Sequence, residues 1–279
     1  MSHPGRLGFG KLYTMFAPPG FSCLGCGKWT RHSAGDYGYP ELCPSCAEAI
    51  PWIRDPRCPV CGRGIGCPDC TRGDWAQHRP FIMNRSAVTY DERMRDWLGQ
   101  YKYRGRERLA SVLGRMTVQG YIWLEQEMRR VTGDRRWRIH IITYVPVSPP
   151  RMRERGFNQA EVLAAAVAGK VKMPLLPLLQ RTRDTEKQSL KSRSERLKDM
   201  RSAFAGYPEG VRRLGNLIQN GQGFRNGTRF GQSQPLRLLL VDDIYTTGST
   251  AGACGARLHD ICASIGVQAE VYSLTWARS

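Results

Sequence analysis

A chain of 279 residues with 42 Lys and Arg against 24 Asp and Glu carries a formal net charge of +18, a field that attracts polyanions without choosing between nucleic acid and a phosphorylated metabolite. A hydrophobic content of 41% suffices for one sizeable core plus a smaller module, and the longest apolar runs, such as Val162 to Ala168 and Leu238 to Val241, are far too short to span a bilayer, so no membrane insertion is expected. Met1 to Gly20 lacks an apolar core bounded by a cleavage site, so the chain reads as cytoplasmic, where its ten cysteines stay reduced and closely spaced ones serve as metal ligands.

In chain order, an N-terminal tail over 1–20 precedes a region over 21–75 that holds eight of the ten cysteines among many Gly and Pro. From residue 80 to 279 the pattern is that of an α/β domain. Ser86 to Tyr90 reads as a strand, Met94 to Gln100 and Leu109 to Met128 as helices, and Ile139 to Val147 as a buried strand. A turn with Pro146, Pro149 and Pro150 then carries Arg151, Arg153 and Arg155 into a helix over Asn158 to Gly169. Leu175 to Leu179 reads as a strand, Thr182 to Met200 as a charged stretch, and 207–235 as a polar surface insertion. Leu236 to Val241 is a strand, Asp242 to Thr250 a loop, Ala251 to Ser264 a helix and Val267 to Trp276 a last strand, an alternation that predicts a parallel or mixed sheet.

Four Cys-x-x-Cys pairs, Cys23/Cys26, Cys43/Cys46, Cys58/Cys61 and Cys67/Cys70, supply eight thiolates. A tetrahedral structural zinc takes four, so two zinc ions are predicted. Gly27 and Gly62 follow the first and third pairs, and Pro44 and Pro68 lie inside the second and fourth. Pairing one of each kind assigns Cys23, Cys26, Cys43 and Cys46 to one ion and Cys58, Cys61, Cys67 and Cys70 to the other; the spacing alone does not exclude an interleaved arrangement. Metal would hold a region with too little apolar surface to fold otherwise. Cys254 and Cys262, apart on an apolar helix, read as core residues.

The run Leu238-Leu239-Leu240-Val241-Asp242-Asp243 leads a buried strand into two adjacent carboxylates, followed by Thr246, Thr247, Gly248, Ser249 and Thr250. Amides of a glycine-containing turn at a helix start, together with those hydroxyls, suit a phosphate monoester. Carboxylates at the C-terminal end of a strand can accept hydrogen bonds from ribose hydroxyls. A simple helix cap beside two solvated acids is the plainer alternative.

This run resembles the phosphoribosyl pyrophosphate (PRPP) signature of type I phosphoribosyltransferases, and the chain from Cys23 onward resembles the ComF family. The likeness extends through Lys102-Tyr103-Arg104-Gly105, Pro146-Val147, Arg153 to Gln159, and Arg181, Thr185, Gln188 and Arg196 to Ala203-Phe204. Asp199 stands where that family usually has Asn, and the 207–235 connection is longer than usual. The resemblance implies a type I phosphoribosyltransferase-like fold, a Rossmann-like parallel sheet behind a double zinc ribbon, and a link to DNA uptake with competence-machinery proteins as partners. It implies PRPP bound with Mg²⁺ at Asp242, Asp243 and Thr246 to Thr250, a pyrophosphate loop at Arg151, Arg153 and Arg155, and a hood over Arg181 to Met200 offering Lys187, Gln188 or Arg196. An enzyme of this kind would transfer a phosphoribosyl group to an acceptor the sequence does not name. The alternative is an accessory protein that grips single-stranded DNA through its positive charge and Trp52, Trp75, Trp97, Tyr101 and Tyr103.

Overall fold

The computed structural model describes residues 20–65, 67, 70, 79–103, 108–182, 203–220 and 234–279. Two compact units divide the chain between Ile50 and Pro51, so the first group of four cysteines falls in the smaller unit and the second in the larger.

In the smaller unit, β1 (Phe21–Ser22) pairs antiparallel with β2 (Trp29–Thr30), a 3₁₀ turn spans Gly35–Tyr37, and α1 (Pro44–Glu48) starts on its proline. Ala34 and Leu42 are fully buried and their backbones bond, the Ala34 amide donating to the Leu42 carbonyl at 2.9 Å. So small an apolar centre leaves the metal ligands as the main cross-links of this unit.

The larger unit is built on β3 (Asn84–Thr89), β4 (Ile141–Tyr144), β7 (Leu236–Tyr245) and β8 (Ala269–Arg278), in the order β3-β8-β7-β4. Every neighbouring pair is parallel, which gives the predicted α/β class. Leu238 to Val241 are buried on both sides of the pleat, as expected of a parallel strand covered by helices on its two faces. Helices α2 (Glu92–Tyr103), α3 (Leu109–Thr132) and α5 (Gln159–Val171) precede the central strand, and α7 (Ser249–Ser264) joins β7 to β8. Leu109, Val112, Leu113, Met116, Leu124 and Met128 form the buried stripe of α3 at helical spacing. The Asn158 side chain caps α5, accepting from the Ala160 amide at 3.0 Å. Among the described residues, no helix is long and apolar enough to cross a membrane.

Several expectations are corrected. The turn after Pro146 is a short helix, α4 (Pro149–Arg155), because the two prolines occupy its first positions, where no amide donor is needed. Leu175 makes only an isolated parallel bridge to Ile142; the strand that follows is β5 (Leu179–Arg181), antiparallel to β6 (Phe204–Gly206). The polar insertion begins with α6 (Pro208–Asn220), whose Val211, Leu214, Leu217 and Ile218 are few but helically spaced, while 221–233 lies outside the described residues. Strand β7 runs through Asp242 and Asp243 to Tyr245, leaving a turn of Thr246 to Gly248 before α7. Trp97 and Tyr101, offered for base stacking only under the accessory-protein alternative and individually better suited to the core, are buried core residues at 1% and 2% exposure. Trp52 packs edge-on against Trp123, and Trp75 and the Tyr103 side chain lie outside the described residues.

Candidate functional site

The two cysteine groups form as the sequential pairing predicts. Cys23, Cys26, Cys43 and Cys46 bring their sulfurs within 4.8 Å of one another, and so do Cys58, Cys61, Cys67 and Cys70. With zinc–sulfur bonds of about 2.3 Å, tetrahedral geometry separates the sulfurs by about 3.8 Å; Cys26 and Cys43 stand 3.9 Å apart and Cys61 and Cys67 3.4 Å. None of the ten cysteines is in a disulfide. Both groups fit a structural zinc.

The same turn builds the first half of each centre. The Gly27 amide donates to the Cys23 carbonyl at 2.8 Å and the Gly62 amide to the Cys58 carbonyl at 3.1 Å. Both glycines have φ above 70°, a region closed to most side chains. Backbone amides then reach the sulfurs, Cys43 donating to Cys23 at 3.2 Å and Cys61 to Cys58 at 3.5 Å. Burial works against the Cys23 thiolate, but the amides of Cys26, Cys43 and Gly25 outweigh it and lower the thiol to about 7. Such donors stabilise a coordinating thiolate as they would any anion.

The second candidate site stands at the C-terminal end of β7, the end at which open parallel sheets bind ligands. The Asp243 amide donates to Asp242 Oδ1 at 2.8 Å. Burial, then the neighbouring Asp243 charge, pushes the Asp242 carboxyl up to about 8, against smaller opposing pulls from Lys102 and Arg181. Asp243 pairs with Lys102 Nζ, both side chains less than one fifth exposed. Thr246 and Thr247 are exposed, Gly248 has φ 81°, and the Thr247 and Ser249 hydroxyls lie 3.1 Å apart at the start of α7. Asp242, Thr246, Gly248 and Thr250 line one concavity with Ser273 and Thr275 of β8.

Helix α4 follows β4, the neighbour of β7, and the Val145 amide donates to the Val241 carbonyl at 2.9 Å. The topology therefore carries Arg151, Arg153 and Arg155 to the same end of the sheet as the acidic pair. Arg151 and Arg153 are exposed, whereas Arg155 donates to Gln159 Oε1 at 2.9 Å and braces the next helix. Lys187, Gln188 and Arg196 lie outside the described residues. Lys102 carried no role in the sequence reading beyond its motif; only the folded helix α2 reveals that it meets Asp243.

A parallel α/β unit with an acidic pair and a glycine turn at a strand end, accompanied by two Cys₄ groups, defines a phosphoribosyltransferase-like fold with zinc-ribbon centres. No family model matches the chain. It is similar to competence protein ComFC of Streptococcus pneumoniae, 28% identical over 212 residues that cover 75% of this chain and 77% of that protein. ComFC of Bacillus subtilis is 27% identical over 216 residues, covering 75% and 74%. The DNA utilization protein YhgH of Salmonella typhi is 26% identical over 211 residues, covering 75% and 80%. The ComF-family resemblance read from the motifs thus holds across three quarters of the chain.

Proposed function

We propose that the protein binds PRPP at the end of β7 and acts as a phosphoribosyltransferase-like component of DNA uptake or DNA utilization. The carrying observation is the acidic pair at the end of a parallel strand, directly before a glycine turn that opens a helix. In this reading the α7 first-turn amides and the hydroxyls of Thr246, Thr247, Ser249 and Thr250 receive the terminal phosphate. Asp242 and Asp243 accept from the ribose hydroxyls, and the guanidinium groups of Arg151 and Arg153 face the pyrophosphate. Lys102, released from Asp243 when sugar hydroxyls take its place, stays near the ligand's negative charge. Mg²⁺, a hard cation, would be held mainly by ligand oxygens and would offset charge on the departing pyrophosphate. The competence setting is supported by relatives named as competence and DNA utilization proteins.

The test is calorimetric titration with PRPP and Mg²⁺. Asp242→Asn with Asp243→Asn is expected to weaken binding by about 1.5–3 kcal/mol for each lost charge-assisted hydrogen bond. Coulomb attraction alone predicts the opposite, since removing the carboxylate charge of Asp243, and that of Asp242 above its raised value of about 8, from a basic protein favours a polyanion. Equal or tighter binding by a folded variant defeats this assignment.

A second reading, single-stranded nucleic-acid binding, is favoured by the +18 charge and by Trp29, which is 62% exposed with the Arg31 guanidinium 5.5 Å from its ring. An exposed indole beside a cation is a stacking platform for bases.

A further inference from the structure

The second Cys₄ centre is wired to the concavity at the end of β7 by two routes. The first is Arg278, at the end of β8. Its residue is 5% exposed; Nη2 donates to Cys61 Sγ at 3.7 Å and Nη1 to the Tyr245 carbonyl at 3.2 Å, and its Cζ lies 4.9 Å from the Tyr245 ring centroid. Nη1 also meets a main-chain oxygen of Ser279, and among the described residues no Asp or Glu side chain pairs with it. Tyr245 is the last residue of β7, immediately before Thr246.

The second route runs through buried polar side chains. Asn84 Nδ2 donates to the Cys61 carbonyl at 3.2 Å and to Ser86 Oγ at 3.1 Å, and Ser86 Oγ lies 2.6 Å from Thr275 Oγ1. Asn84 Oδ1 accepts from Ser273 Oγ at 2.9 Å. Ser273 and Thr275 are the β8 residues that line the concavity with Asp242 and Thr246. The Asn84 amide donates to the Val60 carbonyl at 2.7 Å, fixing the Cys58–Cys61 turn to the start of β3.

A buried guanidinium needs a counter-charge. A zinc ion bound by four thiolates carries a net negative charge, so the loaded centre supplies a counter-charge to Arg278 alongside the Ser279 main-chain oxygen. In exchange, Arg278 favours the thiolates that hold the metal, as partners outside the coordination sphere do.

We propose that Arg278 is a positioning residue that couples metal loading at Cys58, Cys61, Cys67 and Cys70 to the order of the 242–250 segment. Because coupling of this kind is reciprocal, whatever steadies the segment also tightens the second zinc. This coupling operates in the zinc-loaded protein without a bound ligand and does not depend on PRPP being the ligand.

The experiment uses the full zinc-loaded chain. Chelator competition followed by native mass spectrometry measures each zinc's affinity, and amide hydrogen exchange follows peptides spanning 242–250. In Arg278→Gln, one of the two zincs is expected to bind about 10- to 100-fold more weakly while the other is unchanged, and exchange across 242–250 to accelerate. Arg278→Lys, which restores the charge, recovers most of the zinc affinity. Two zincs as tight as in the wild type would overturn the proposal. Should Arg278→Gln fail to fold, Cys43→Ser retains only the second zinc; stripping that ion is expected to accelerate exchange across 242–250, and an unchanged exchange pattern overturns the coupling.

Discussion

The two Cys₄ centres begin with the same turn and end in different surroundings. In the smaller unit the first centre has a two-residue hairpin, a 3₁₀ turn and a five-residue helix for company, and Cys26 stays exposed. In the larger unit all four cysteines of the second centre are buried, and the cluster is tied through Val60 and Cys61 to two positions of the sheet, Asn84 and Arg278. Identical ligand chemistry therefore serves two ends. The first centre replaces a core that so small a unit cannot build, whereas the second joins a metal cross-link to a core that already exists.

The largest expected effect separates these roles directly. Cys61→Ser should lower the thermal midpoint of the larger unit, at about 2–4 °C per kcal/mol lost, and diminish ligand binding with it. Cys43→Ser should leave that transition and the 242–250 segment in place. Scanning calorimetry of the two variants beside the wild type checks this, and equal shifts would break the contrast.

A smaller effect sharpens it from the other side. Trp29→Ala should weaken single-stranded DNA binding at low salt by about 1–3 kcal/mol, the worth of one stacked base, and leave PRPP affinity unchanged. Fluorescence anisotropy over a salt series reads both the loss and the expected steep fall of affinity with salt. DNA affinity that ignored salt would remove the nucleic-acid reading altogether.

The smallest effect lies in pH. The Asp242 carboxyl is raised from 3.8 to about 8 by burial and by Asp243, so between those values the folded chain holds a proton that the unfolded chain releases. Stability must then fall as pH rises through that window and level off below it. Asp242→Asn removes this dependence, so its melting midpoint should gain on the wild type from pH 5 to pH 8 while its ligand binding is lost. A constant gap between the two melting curves would show that the carboxyl is not held protonated.

The cysteine centres were legible because a Cys-x-x-Cys pair is local, and Gly27, Gly62 and Pro44 mark the turns that shape it. Strand β7 and the turn into α7 were legible for the same reason, with the run Leu238 to Val241 stating burial and Gly248 stating a left-handed backbone. What escaped depends on distant partners. Lys102 meets Asp243, Arg278 meets Cys61 across 217 positions, and no local pattern encodes either. Helix α6 escaped because its polar content masked four well-spaced apolar residues, and α4 because paired prolines suit both a turn and a helix start. Tyr101 and Trp97, better suited singly to the core than to a ligand, pack there with their helix, Tyr101 against Phe157 at 5.1 Å.

Strand order has a consequence for how the protein is made. The strand latest in sequence, β8, lies between β3 and β7, and Ser86 waits for a partner 189 residues further along. During synthesis the ribosome delivers β3, β4 and β7 first, and these remain two separate pieces with bare backbone edges until β8 slots between them. The second metal centre inherits that timing, since its Arg278 contact arrives with the same strand. Nascent chains would hold the first zinc early and the second weakly until β8 has emerged, which makes tight retention of both ions a sign of a finished sheet.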